Sequence, residues 1–182
     1  MSSSPRELAL AELEAGLDRI RASPRDAGTI EMIVRRPRSG EREVLTSARL
    51  DPSAGLVGDR WGGVTPPHGA QLTLMNARAI ALVAQERARW PLAGDQLYVD
   101  LDFSAANVPP GTRLALGDAV IEVSPDPHTP CRKFRARYGV DAFRFVGSDV
   151  GRELQLRGIN TWIVTAGDVR VGEAIRKLAP SV

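Results

Sequence analysis

A single cysteine, Cys131, occurs in the 182 residues. That scarcity excludes an intramolecular disulfide and, with it, the stapled folds of small secreted proteins; a reducing, cytosolic compartment is the natural reading. It also excludes a zinc site made of four thiolates from one chain and an iron–sulfur cluster held by four cysteines. An excess of one charge is lacking too. The 24 Lys and Arg stand against 22 Asp and Glu for a net charge of +2, too little to mark a nucleic-acid-binding surface. No apolar run approaches the ~20 residues of a bilayer span. The start, Met-Ser-Ser-Ser-Pro-Arg-Glu, has neither the basic segment nor the apolar stretch of a secretory signal. The expectation is a cytoplasmic protein that engages neither membrane nor nucleic acid. Tandem repeats and low-complexity tails are also missing. With 43% hydrophobic and 25% charged residues, the chain reads as one ordinary globular domain with a core that needs no staples.

Two parts are expected: an N-terminal amphipathic helix within 1–24 and a β domain over 25–182. Ser4, Pro5 and Glu7 supply an N-cap, a first-turn proline and a capping-box acid. Leu10, Leu13, Leu17 and Ile20 follow at steps of three and four, and Ser23-Pro24 ends the helix. Its apolar stripe suits packing on the outside of the domain or on a partner.

From residue 28 the period becomes two. Ile30, Met32 and Val34 alternate, as do Val44 and the residues to Leu50, with a turn at 38–41. A Gly- and Pro-rich loop at 51–70 is long enough to suggest function. A short strand over 71–74 precedes a helix capped by Asn76 and running to about Arg89, with Ile80, Val83 and Ala84 inward. Leu97, Val99 and Leu101 alternate with Tyr98, Asp100 and Asp102. Gly117-Asp118 and Gly167-Asp168 read as two-residue hairpin turns. Between them lie the cysteine loop and a charged helical stretch near 140–154. Trp162, alternating with Val164, reads as core. Six or seven short strands with regular turns point to a closed barrel or sandwich, mainly β with peripheral helices.

The chemistry concentrates in His128-Thr-Pro-Cys131-Arg-Lys-Phe134. Cysteine is a nucleophile or soft-metal ligand only as thiolate, a form that neighbouring cations favour. Arg132 and Lys133 follow directly, Arg135 and Arg137 come soon after, and His128 sits three residues before. Pro127 and Pro130 stiffen the loop. Against this stands a lone, buried, inert cysteine with a solvated basic face; residue types alone leave both open. Asp59-Arg60 can cap a turn as readily as line a site. Arg35, Arg36, Arg38 and Arg42 read better as the solvated edge of a hairpin than as an anion grip.

Taken in order, Gly58-Asp59-Arg60, Gly94-Asp-Gln-Leu97 with Asp100-Leu-Asp102, Gly111 to Val123, Pro130-Cys131 and Arg157-Gly-Ile-Asn-Thr161 with Gly172-Glu173 resemble the MOSC domain, found at the C-terminus of molybdenum cofactor sulfurases. The resemblance spans residues 28 to about 176. It implies a MOSC-type closed antiparallel β-barrel that binds molybdenum cofactor (molybdopterin). Cys131 would be the metal ligand or sulfur carrier, and Asp59, Arg60, Arg157 and Asn160 would line the pocket. The basic loop side chains His128, Arg132 and Lys133 would join the cofactor contacts. Gln96, where relatives commonly carry asparagine, and Trp61 after Gly-Asp-Arg depart from the pattern.

Relatives of this kind include reductases of N-hydroxylated compounds and sulfur-transfer domains. In this chain a reductase would draw on an external electron donor and act on a small-molecule substrate, and a sulfur carrier would need a sulfur donor protein. Two other classes stay open. One is a zinc hydrolase using His68, His128 and Cys131, the three-ligand arrangement of catalytic zinc. The other is a non-enzymatic barrel that binds an anion or a protein.

Overall fold

Apolar residues at period two form strands because alternate side chains leave opposite faces of the sheet. In the computed structural model, which describes residues 6–63 and 70–179, those strands close into a barrel. Two short helices come first, α1 (Leu10–Ala15) and α2 (Leu17–Arg21). Ser4 and Pro5 lie outside the described residues. Glu7 does not form the capping box; Glu12 does that work, its carboxylate accepting from the Ala9 N–H at 2.9 Å. The break at Gly16 allows close approach, since a Cβ there would lie 2.5 Å from Leu82 Cδ2. Leu13 and Ile20 are buried as the stripe requires.

Strand β1 (Ala27–Arg35) pairs with β2 (Glu43–Leu45) across the expected turn. Its simple alternation fails at one place. A bulge at Glu31 sets Ile30 opposite Val99 but Met32 opposite Tyr98. Ile30 and Ile33 therefore enter the barrel, while Met32 and Val34 enter an outer layer beneath the helices. β3 (Ser47–Asp51) and β4 (Gly55–Leu56) follow, then a short 3₁₀ turn over Arg60–Gly63.

After β5 (Leu72–Asn76), the Asn76 side chain accepts from the Arg78 and Ala79 N–H groups and starts α3 (Ala77–Ala84). The helix stops five residues short of Arg89. Gln85 turns into the left-handed region (φ 63°), and a 3₁₀ helix over Arg87–Ala93 tucks Trp90 and Pro91 inward. β6 (Leu97–Asp100) keeps Tyr98 buried as well as Leu97 and Val99, because its outer face is covered by helices instead of water.

β7 (Arg113–Leu116) and β8 (Ala119–Pro127) form the hairpin expected at Gly117-Asp118. Next come α4 (Arg132–Gly147), kinked at Gly139, and α5 (Asp149–Glu153). β9 (Ile159–Thr165), β10 (Gly167–Arg170) and β11 (Ala174–Lys177) complete the chain. Gly167-Asp168 is not a hairpin turn. Asp118 N–H donates to Asp168 O at 3.0 Å, and a Cβ on Gly167 would lie 2.2 Å from the Asp118 carbonyl carbon. This crossing sends β10 out to pair with β3 in a small side sheet, β10-β3-β4.

The barrel runs β11-β7-β8-β9-β5-β6-β1 and closes through β1–β11, with β2 added outside β1. All pairs are antiparallel except β5–β6, the one crossover bridged by a helix. The interior holds Ile30, Leu72, Leu97, Ile121, Ile163 and their neighbours. A second core lies between the outer faces of β1, β5 and β6 and helices α1 to α4. Trp162 is not core. Ile163 takes the inward position, and Trp162 and Val164 lie half-exposed on the outer wall. Among the described residues no helix is long and apolar enough to cross a membrane.

Gly28 marks the tightest strand contact, where an ideal Cβ would sit 1.8 Å from Asp100 O. Gly28→Ala is expected to destabilise the protein by about 2–3 kcal/mol, as overpacking does. Urea unfolding checks this, and a change under about 0.5 kcal/mol would contradict the β1–β6 register.

Candidate functional site

The segment 89–94 is held locally only by a 3₁₀ turn, in which the Gly94 N–H reaches Pro91 O at 3.2 Å, and each of its six successive carbonyls also receives a side chain from elsewhere. Tyr138 Oη donates to Arg89 O (2.7 Å) and Tyr98 Oη to Trp90 O (2.7 Å). Arg42 donates to Pro91 O (2.9 Å), Arg137 to Leu92 O (2.5 Å), Arg157 to Ala93 O (3.1 Å) and Arg36 to Gly94 O (2.6 Å). Burial pushes both tyrosine hydroxyls above their ordinary pKa, so they remain donors. Crowding by burial and by Arg137, Arg36 and Arg60 lowers the pKa of Arg42.

Two carboxylates fix this array. Asp59, buried, grips the Arg36 guanidinium with both oxygens at 3.0 Å and accepts from the Arg36 and Trp61 backbone N–H groups at 2.8 and 3.1 Å. Arg36 is thus no solvated hairpin edge. Of that run, Arg38 is exposed, Arg35 pairs with Glu43, and Arg42 reaches Pro91. Asp59 is consumed by this pair and positions the loop. Asp95, fully buried, pairs with Arg157 at 2.7 Å.

His128 ends the β8 side of the same cluster. Its Nδ1 lies 3.5 Å from Asp95 Oδ1, and both atoms, with Arg157 Nε, are buried without a hydrogen-bond partner among the described residues. A proton on Nδ1 aimed at Oδ1 answers both. Burial first, then Arg157, pulls the His128 pKa down from 6.5 to about 4, with Asp95 opposing, so the imidazole is neutral near pH 7. His128 and Arg157 share the wall of a cavity of about 400 Å³ between residues 127–130, the second half of α4 and α5. A larger, more open depression of about 710 Å³ near Asn107, Pro110 and Lys177 contains none of the expected site residues.

Cys131 is exposed and stands at the N-cap of α4, so the buried, inert alternative does not describe it. Arg132, Lys133 and Arg60 are exposed as well. Asn160 donates to Asp126 O (3.1 Å), bracing the strand two residues before His128. The structure therefore joins His128 with Arg157 and seats Asp59 beside them through Arg36 and Gly94. Arg60, Arg132, Lys133 and Asn160 do not line that cavity. His68 lies outside the described residues, and among those described no three His, Cys, Asp or Glu gather as metal ligands. Reading the sequence missed Asp95, although an acid between a helix-stopping glycine and an apolar strand had marked the position.

A seven-strand barrel of this topology, with the cysteine between the end of β8 and α4, is the architecture of a MOSC domain. The MOSC domain family model matches residues 67–176, and the chain belongs to that family. The fold resembles the YuaD protein from Bacillus subtilis, with 16% identity over 85% of this chain and 97% of that one (TM-score 0.63). It also resembles YiiM from Escherichia coli, with 18% identity over 84% of this chain and 71% of the other (TM-score 0.56). No curated protein matches the sequence significantly.

The geometry sets two outcomes. Asp59→Ala leaves the Arg36 charge buried and unpaired, so stability is expected to fall by about 3–5 kcal/mol in urea unfolding; a loss under about 1 kcal/mol would mean a mere turn cap. For His128 the folded pKa lies below that of the unfolded chain, which alone takes up a proton between about pH 6.5 and 4. Stability therefore falls as pH drops through that window, by on the order of 3 kcal/mol. The difference between wild type and His128→Asn across that range isolates this share, and parallel curves would refute it.

Proposed function

We propose that this MOSC domain holds molybdenum cofactor through Cys131 and acts as a reductase of N-hydroxylated small molecules, supplied by an external electron donor protein. The observation that carries the reading is the thiol itself: the only cysteine, exposed, on a proline-stiffened loop at the rim of the barrel. A soft thiolate suits a molybdenum–sulfur centre. Arg132 and Lys133, adjacent in the chain and exposed, suit the phosphate of a pterin. When bound, the cofactor supplies two-electron oxygen-atom transfer from an N–OH group.

The chain's own residues supply the frame. Asp59 and Arg36 lock the loop after β4 to the end of β1, and Asp95 and Arg157 lock the segment before β6 to the segment before β9. His128, kept neutral, offers a lone pair beside the loop that carries the sulfur. Sulfur transfer would use the same exposed thiol, with a persulfide delivered by another protein; the cavity beside the loop favours the reductase, which has a substrate to hold.

The test is retention of metal. Protein purified from cells that make the cofactor is expected to carry molybdenum by elemental analysis, and Cys131→Ala to lose it. Because the thiol is exposed, unfolding free energy should shift by under about 0.5 kcal/mol. Retained molybdenum in the variant would end the reading, whereas zinc near one equivalent would favour the hydrolase class. A thiol reagent should also label native Cys131 completely without denaturant. Labelling that requires unfolding would contradict its exposure.

A further inference from the structure

The cavity beside the cysteine loop has properties of its own. Cys131 is not part of its wall. Pro127, Pro130, Phe143 and Val146 line it with apolar groups, and Gly151 and Gly158 line it with bare backbone. Neither glycine can be replaced cheaply: a Cβ would lie 2.4 Å from Phe145 O at Gly151 and 2.2 Å from Leu74 O at Gly158. The volume of about 400 Å³ falls within the range of small-molecule sites.

Its polar wall combines the largely buried His128 and the buried Arg157 with Gln155 and, at the rim, the exposed Thr129 and Arg152. His128 Nδ1 is sealed and faces Asp95 Oδ1, so the 17% exposure left to the His128 side chain belongs to its other edge, which carries Nε2. With the proton on Nδ1, where it faces the Asp95 carboxylate 3.5 Å away, Nε2 is a bare acceptor, and the Asp95 charge favours this tautomer. Charge decides what can enter. Asp95 and Arg157 cancel at 2.7 Å, Arg152 at the rim is paired with Asp149 and the imidazole adds nothing, so the wall has no net charge. A charged ligand would have to bury its charge unpaired, at a cost of several kcal/mol.

We propose that this cavity is a binding site for a neutral, largely apolar small molecule that donates one hydrogen bond to Nε2 of His128, with Asp95 as the positioning residue. The inference goes beyond the cofactor reading and does not require it. If Cys131 does hold molybdenum, the same loop carries both the metal and this ligand's acceptor.

Benzamide, benzoate and benzamidinium share one ring and differ in charge, so they test the proposal on the full chain prepared without molybdenum. In ligand-observed NMR at pH 7, benzamide is expected to bind saturably, and the two ions at least about 10-fold more weakly. His128→Phe should weaken benzamide by about 10-fold or more. The chain has two histidines, so a long-range 1H–15N spectrum of the wild type resolves His128. Its Nε2 should appear unprotonated and move upfield as benzamide is added. Equal binding by all three compounds, no binding, a protonated Nε2 or a stationary Nε2 signal would each overturn the proposal. Since no metal is present, failure here leaves molybdenum retention at Cys131 untouched, and loss of metal retention leaves this result untouched.

Discussion

Six carbonyls in a row on a short 3₁₀ turn need side-chain donors under a packed helical layer, because a buried peptide group without a full set of partners costs about 1–3 kcal/mol. The stretch 89–94 passes beneath α4, and two tyrosines and four arginines from β1, the β1–β2 turn, β6, α4 and the segment before β9 satisfy it. Each of those side chains is thereby tied to one short piece of backbone. The two buried carboxylates then become necessary: Asp59 and Asp95 offset cations that the carbonyls alone would leave uncompensated. Barrel, helices and polar cluster hang together through this segment.

One consequence is a division of labour between the charged and the neutral parts of the site. Asp59, Arg36, Asp95 and Arg157 are spent on one another and on backbone, so they act as scaffold. Groups left available are the Cys131 thiol, the exposed Arg132, Lys133 and Arg60, and the outer edge of His128. A site arranged this way keeps its reactive groups few and holds them on elements fixed from behind.

Much of the architecture was legible because its causes are local. Asn76 caps α3 through its own side chain, Gly117-Asp118 turns a hairpin two residues long, and the apolar period of two marks the barrel strands. The ordered MOSC motifs gave the closed barrel, which periodicity alone left beside a sandwich. What stayed hidden depends on partners far along the chain. Arg36 sits in a run of arginines that looks solvated, and Asp59, which buries it, is 23 residues away. Asp95 meets Arg157 across 62 residues. Trp162 falls on the outer wall and Tyr98 is buried on the outer face of β6 for the same reason, since alternation tells which residues share a side of the sheet and not which side will be covered. Gly167-Asp168 has the composition of a hairpin turn, yet a crossing over the β7–β8 turn sends the strand elsewhere.

The seam of the barrel joins the first strand to the last, with Ala27 opposite Arg176 and Thr29 opposite Ala174. During synthesis that seam cannot exist until β11, nearly 150 residues after β1, has left the ribosome, and the entropy of joining such distant segments falls due only then. Until then the edge of β7 and the Ala27–Thr29 part of β1 have no neighbour, β2 covering only Ile33–Arg35. The nascent barrel is an open, sticky sheet until β11 emerges and closes the seam.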